Sequence, residues 1–121
     1  MAEHTHQPLT PAVFALLLAL HEGERHGYAL IDDVADLTGG ALTLGVATLY
    51  RSLQRMRVDG LVEEVDADAE PLTDRRAERR RSYRITAAGR AAASAEARRL
   101  SLLLDAAVRL GALPSTRKNV S

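Results

Sequence analysis

Apolar residues in the N-terminal half of this chain recur at helical intervals, and each run closes on glycine. Val13, Leu16, Leu17 and Leu20 fall at i, i+3, i+4 and i+7, which predicts a first helix with one buried face. Its start is marked by Thr10-Pro11, where the threonine can cap and the proline loses nothing by lacking an N–H in the first turn. Leu9 and Phe14 add the spacing of a hydrophobic staple. After Gly23 a second helix follows His26-Gly27-Tyr28, carrying Leu30, Ile31, Val34 and Leu37 on one face and stopping at Gly39-Gly40. A third is expected from about Gly45 to Asp59, with Val46, Leu49, Leu53 and Met56 inward and Thr48, Arg51 and Arg55 on the opposite face.

Beyond Gly60 the period changes. Leu61 to Val65 reads as a weakly alternating strand, residues 66–80 as a long polar loop containing Pro71, and Ser82-Tyr83-Arg84-Ile85 as the return strand of a hairpin. Thr86 can cap a last helix running to about Leu113, whose Leu100, Leu103, Ala107 and Leu110 repeat at 3-4-3 spacing, the seam pattern of paired helices, with Glu96 interrupting it upstream. The expected division is a flexible arm at 1–9, a winged helix-turn-helix at 10–86, a dimerisation helix at 87–113 and a disordered tail at 114–121. The fold class is mainly α with a small two-stranded β wing.

Composition narrows the options. The chain has 121 residues with 46% hydrophobic, 3% aromatic and no tryptophan, so its core is built from leucine and valine and is small enough for self-association to help stability. Absence of cysteine excludes disulfides and thiolate metal sites. Met1 to Pro8 is polar and the apolar run Val13–Leu20 is too short to span a bilayer, so neither a secretory signal nor a membrane partner is expected and the location is taken as cytoplasmic. No nucleophile-base pair, phosphate-cradling loop or cofactor motif occurs, which argues against an enzyme and implies no cofactor.

Net charge is zero, but its distribution is uneven. From Thr43 to Val58 there are Arg51, Arg55 and Arg57 and no acid, and Arg75, Arg76, Arg79, Arg80, Arg81 and Arg84 cluster around Glu78 alone. Helices one to three followed by a basic hairpin make the order of a winged helix-turn-helix, whose third helix enters the major groove while the wing touches flanking phosphates or the minor groove. Cationic residues there release counterions from duplex DNA. The competing role for the wing arginines is pairing with Glu63, Glu64, Asp66, Asp68 and Glu70; for Arg51 and Arg55 it is a solvated helix face. Tyr28 and Tyr50 are phosphate donors or half-buried packing residues, and His26 caps or packs. His4 and His6 form a His-x-His pair; a metal sensor would need His21 and His26 as well.

Four segments, His26-Gly27-Tyr28-Ala29-Leu30-Ile31, Ala47-Thr48-Leu49-Tyr50, Asp59-Gly60-Leu61-Val62 and Tyr83-Arg84-Ile85-Thr86-Ala87-Ala88-Gly89-Arg90, resemble in order and spacing the PadR family of transcriptional regulators. The resemblance covers about residues 12–110. It implies a winged-helix homodimer, usually a repressor, acting on a palindromic operator in double-stranded DNA. By position, Tyr28, Thr48 and Tyr50 match family motif residues at the DNA surface, to which the charge pattern adds Arg51, Arg55, Arg79, Arg80 and Arg81. Gly45-Val46-Ala47 stands where the family usually has a capping sequence, which leaves the start of the recognition helix open. The single C-terminal helix resembles the shorter members, and an effector is unassigned. The alternative is a winged-helix module that binds protein and not DNA.

Overall fold

The computed structural model describes residues 7–65 and 81–114. The wing loop at 66–80, with Arg79 and Arg80, lies outside the described residues, as do His4, His6 and the tail beyond Pro114. Among the described residues four helices and three short strands run in the order α1 (Pro11–Ala19), β1 (Arg25–His26), α2 (Ala29–Leu37), α3 (Val46–Val58), β2 (Val62–Val65), β3 (Ser82–Ile85) and α4 (Ala87–Arg109).

The helix starts follow local chemistry. The Thr10 hydroxyl accepts from the Val13 N–H at 3.1 Å with Pro11 in the first turn, and the Thr86 hydroxyl accepts from the Gly89 N–H at 3.0 Å. Helix α3 begins at Val46, with Gly45 in the cap position and no side-chain cap. At the end of α2, Gly39 and Gly40 have φ of 62° and 85°, and the Gly40 N–H reaches the Ala35 carbonyl at 2.8 Å, the left-handed closure that glycine adopts without a Cβ penalty.

Leu16, Leu17 and Leu20 of α1, Leu30 and Val34 of α2, and Leu49, Leu53 and Met56 of α3 form one core with Val62, Tyr83, Ile85 and Ala93. Each fully buried leucine contributes on the order of 1.5–3 kcal/mol by leaving water. Two residues assigned to inner faces are exposed instead. Val46 lies in the first turn of α3, and Leu37, at 53% exposure, is the last residue of α2. A helical stripe at an element's end can overhang the body it packs on.

The wing is wider than the hairpin expected. Its sheet has order β1-β3-β2, with β1 added antiparallel to β3 through Arg25↔Tyr83 and His26↔Ser82, while β2 pairs with β3 from Val62↔Ile85 to Val65↔Ser82. Two residues are too few to carry a periodic signal, so β1 exists only because β3 offers it an edge. The Arg25 guanidinium also grips Asp33 of α2 through two bonds of 2.8 and 2.9 Å, which holds its proton more firmly than usual.

Helix α4 ends at Arg109, four residues short of the expected limit at Leu113, and Gly111 follows with φ 88°. Its N-terminal half buries Ala92, Ala93 and Glu96 against the body; from Leu100 to Asp105 every residue is exposed. Among the described residues no helix is long and apolar enough to cross a membrane.

Candidate nucleic-acid interface

At about 100° per residue, α3 divides into two faces and a flank. Leu49, Leu53 and Met56 point into the core and are fully buried. Thr48, Arg51 and Arg55 lie on the opposite side and are exposed. Arg51 has no ion-pair partner among the described residues, whereas Arg55 meets Asp59 one turn on at 3.3 Å in an exposed pair. Such a pair contributes roughly 0–1 kcal/mol and yields readily to another anion.

Tyr50 and Arg57, one heptad apart, share the flank of α3 turned toward the sheet. The Tyr50 ring lies against Gly27: a Cβ at that position would stand 2.8 Å from the tyrosine oxygen and 2.9 Å from Cε1. The glycine of His26-Gly27-Tyr28 and the tyrosine of Thr48-Leu49-Tyr50 therefore belong to one contact, and the small residue is needed because an aromatic ring occupies its side-chain space. Tyr50 is half-buried and Tyr28 exposed. The Gly27 N–H donates to the Arg81 carbonyl at 2.8 Å, and His26 Nδ1 lies 3.1 Å from the buried Ser82 hydroxyl. This segment thus joins the start of α2, α3 and the wing.

The sheet's cations are less free than those of α3. Arg84 pairs with Glu63 at 2.7 Å on the exposed face. Arg81 stands 3.0 Å from Glu64 and Arg57 stands 3.4 Å from the other oxygen of the same carboxylate. Glu64 and Arg57 were not singled out as interface residues from sequence; the opposed charges of the two wing strands were the available signal. Across the ladder from Glu64 is Tyr83, whose hydroxyl titrates above its ordinary value, first because the ring is buried and then because Glu64 is near.

A second surface lies away from α3. Leu100, Leu103 and Leu110 are exposed on α4, and Ala107 is half covered. Leu102, at 71% exposure, and Leu104 widen this surface beyond one stripe. Upstream, Leu9, Phe14, Leu18, Leu37 and Leu100 border a hollow of about 390 Å³ that Glu96 and Arg99 also line. Glu96 is buried there, accepts the Leu9 N–H at 3.1 Å and pairs with Arg99, whose guanidinium holds the carboxyl below its ordinary pKa. The polar interruption of the seam is thus an anchor for the chain entering α1. Among the described residues no group of histidines and carboxylates is arranged to hold a metal.

Three helices, the third with a basic exposed face, and a sheet wing define a winged helix-turn-helix. Residues 16–95 match the transcriptional regulator PadR-like family, and the chain belongs to that family. In fold it is similar to a transcriptional regulator from Clostridium thermocellum, at 20% identity and TM-score 0.62 over 81% of this chain and 87% of that one. It is also similar to TA0346 from Thermoplasma acidophilum, at 22% and 0.61 over 84% and 91%. ZitR of Lactococcus lactis aligns at 18% and 0.57 over 98% of this chain and 79% of that one. No curated protein matches the chain.

Proposed function

We propose that this protein is a sequence-specific DNA-binding regulator without enzymatic activity, a cytoplasmic repressor that acts as a homodimer on a palindromic operator. The observation that carries this reading is the division of α3, whose Leu49, Leu53 and Met56 are fully buried while Thr48, Arg51 and Arg55 stand exposed on a stretch free of acid. In a groove, Thr48, Tyr50 and Arg51 set register and base choice, and Arg55, Tyr28 and the wing arginines Arg79 and Arg80 supply phosphate contacts. Arg81 has a weaker claim to that role because Glu64 already holds it. Residues 10–86 form the DNA-binding unit, and α4 pairs with its counterpart through Leu100, Leu103, Ala107 and Leu110. The two recognition helices then meet successive major grooves about 34 Å apart.

Gel shift with random duplex and with fragments enriched from a random library, each at two salt concentrations, tests the reading. Salt-sensitive affinity for both, tighter for enriched fragments carrying inverted half-sites, is expected. Absence of any salt-sensitive binding would leave the fold serving as a protein-binding module. Leu103→Glu places charge in the α4 seam and should give a folded monomer that binds the palindrome poorly; a wild-type monomer by light scattering at micromolar concentration removes the dimer.

A further inference from the structure

Among the described ion pairs of the wing and α3, the one centred on Glu64 stands apart. Arg55–Asp59 and Arg84–Glu63 are open to solvent on both sides, whereas the Glu64 side chain is only 8% exposed and uses each oxygen for a different guanidinium. One belongs to Arg57 on the sheet-facing flank of the recognition helix, the other to Arg81 at the base of β3. The Arg81 Nε is buried and lies at ion-pair distance from the carboxylate without a hydrogen-bond partner, so its main compensation is the charge of Glu64. At its own carbonyl Arg81 receives the Gly27 N–H, which ties the same residue to β1. A carboxylate in this position lies between two cations, the exposed Arg57 and the partly buried Arg81, so loss of its charge leaves the buried Arg81 Nε without its ion pair and Arg57 without an anion.

We propose that Glu64 is a positioning residue of the DNA-binding surface: its carboxylate fixes the wing against the recognition helix and withholds Arg57 and Arg81 from non-specific phosphate contact. The proposal rests on the DNA-binding reading given above. It makes Glu64 a determinant of specificity, because two cations at the junction of helix and wing would raise affinity for any duplex without reading a base. Arg51, which has no ion-pair partner among the described residues, is not held in this way, so backbone attraction is set by a subset of the arginines.

The test uses the full chain and a random-sequence duplex, with an enriched operator fragment for comparison. Glu64→Gln keeps the shape and removes the charge. Non-specific affinity at low salt should then rise, the slope of log K against log salt should steepen by about 0.9 for each guanidinium released to phosphate, and the operator-to-random ratio should fall. A merely structural role for Glu64 predicts the opposite, both affinities falling together with an unchanged or shallower slope, and that result overturns the proposal. Arg57→Gln retains the Glu64–Arg81 pair and guards against misfolding of the first variant. Its slope should equal wild type, and a slope shallower by about 0.9 would mean that Arg57 contacts phosphate directly. Amide hydrogen exchange without DNA gives an independent arm: Val62–Val65 and Ser82–Ile85 should exchange faster in Glu64→Gln while α1 is unchanged. Unchanged wing exchange overturns the tie between wing and helix. A wild-type protein that binds no duplex defeats the DNA-binding reading and the withholding role with it, while the exchange arm still decides the tie.

Discussion

Gly89→Ala isolates the junction between the wing and α4. A Cβ built at Gly89 lies 2.1 Å from the Leu61 carbonyl oxygen, 2.8 Å from Ile85 Cγ1 and 3.1 Å from the Leu61 carbonyl carbon. Close carbon-to-oxygen contacts in proteins start near 3.3 Å, so helix and carbonyl must separate by about 1.2 Å. Neither side gives easily. The Leu61 carbonyl accepts the Thr86 N–H at 3.0 Å, the Thr86 hydroxyl donates to the Gly60 carbonyl at 2.6 Å, and Ile85 is buried in the core. Overpacking of this kind costs about 1–3 kcal/mol. Disturbing the Thr86–Leu61 bond adds roughly 0.5–1.5 kcal/mol, while alanine's helix preference over glycine returns about 1 kcal/mol. The net is a loss of about 0.5–3.5 kcal/mol, which for a domain of this size lowers Tm by roughly 2–20 °C. Thermal unfolding followed by far-UV circular dichroism measures it. Helix preference acting alone would raise Tm, so an unchanged or higher midpoint refutes the close approach of Gly89 to Leu61.

Three further outcomes are expected. Arg51→Ala should weaken operator binding by roughly 1–3 kcal/mol if the guanidinium reads a base, with far less effect on random duplex; equal losses on both would make it a phosphate contact. Gly27→Ala pushes only the far end of the Tyr50 side chain, so Tm should change little while operator affinity falls, and unaltered affinity separates the Gly27–Tyr50 contact from DNA recognition. Glu96 has its pKa lowered in the fold, chiefly by Arg99, so its contribution is present above its ordinary value of about 4.5 and is lost as pH falls through the lower folded value. The Tm deficit of Glu96→Gln should therefore be largest near neutrality and shrink below about pH 4.5; a deficit independent of pH assigns the effect to packing instead.

The sequence alone determined what local rules govern. Thr10-Pro11 and Thr86 announced two helix starts because a cap is satisfied within three residues. Leu49, Leu53 and Met56 announced the buried face of α3 because a 3.6-residue period needs no partner to be recognised. The motif spacing around Gly27, Thr48, Gly60 and Gly89 identified the family. Only tertiary structure decided the rest. Strand β1 has no period of its own and forms on the edge β3 provides. Leu37 and Val46 lie on apolar stripes yet overhang the ends of their helices, since a stripe records direction and not where the neighbouring body stops. Tyr50 over Gly27, Gly89 under Leu61, and Glu64 between Arg57 and Arg81 each join residues far apart in the chain. Periodicity reports which way a side chain faces; which other chain segment it meets there is set by packing over distances that spacing does not encode.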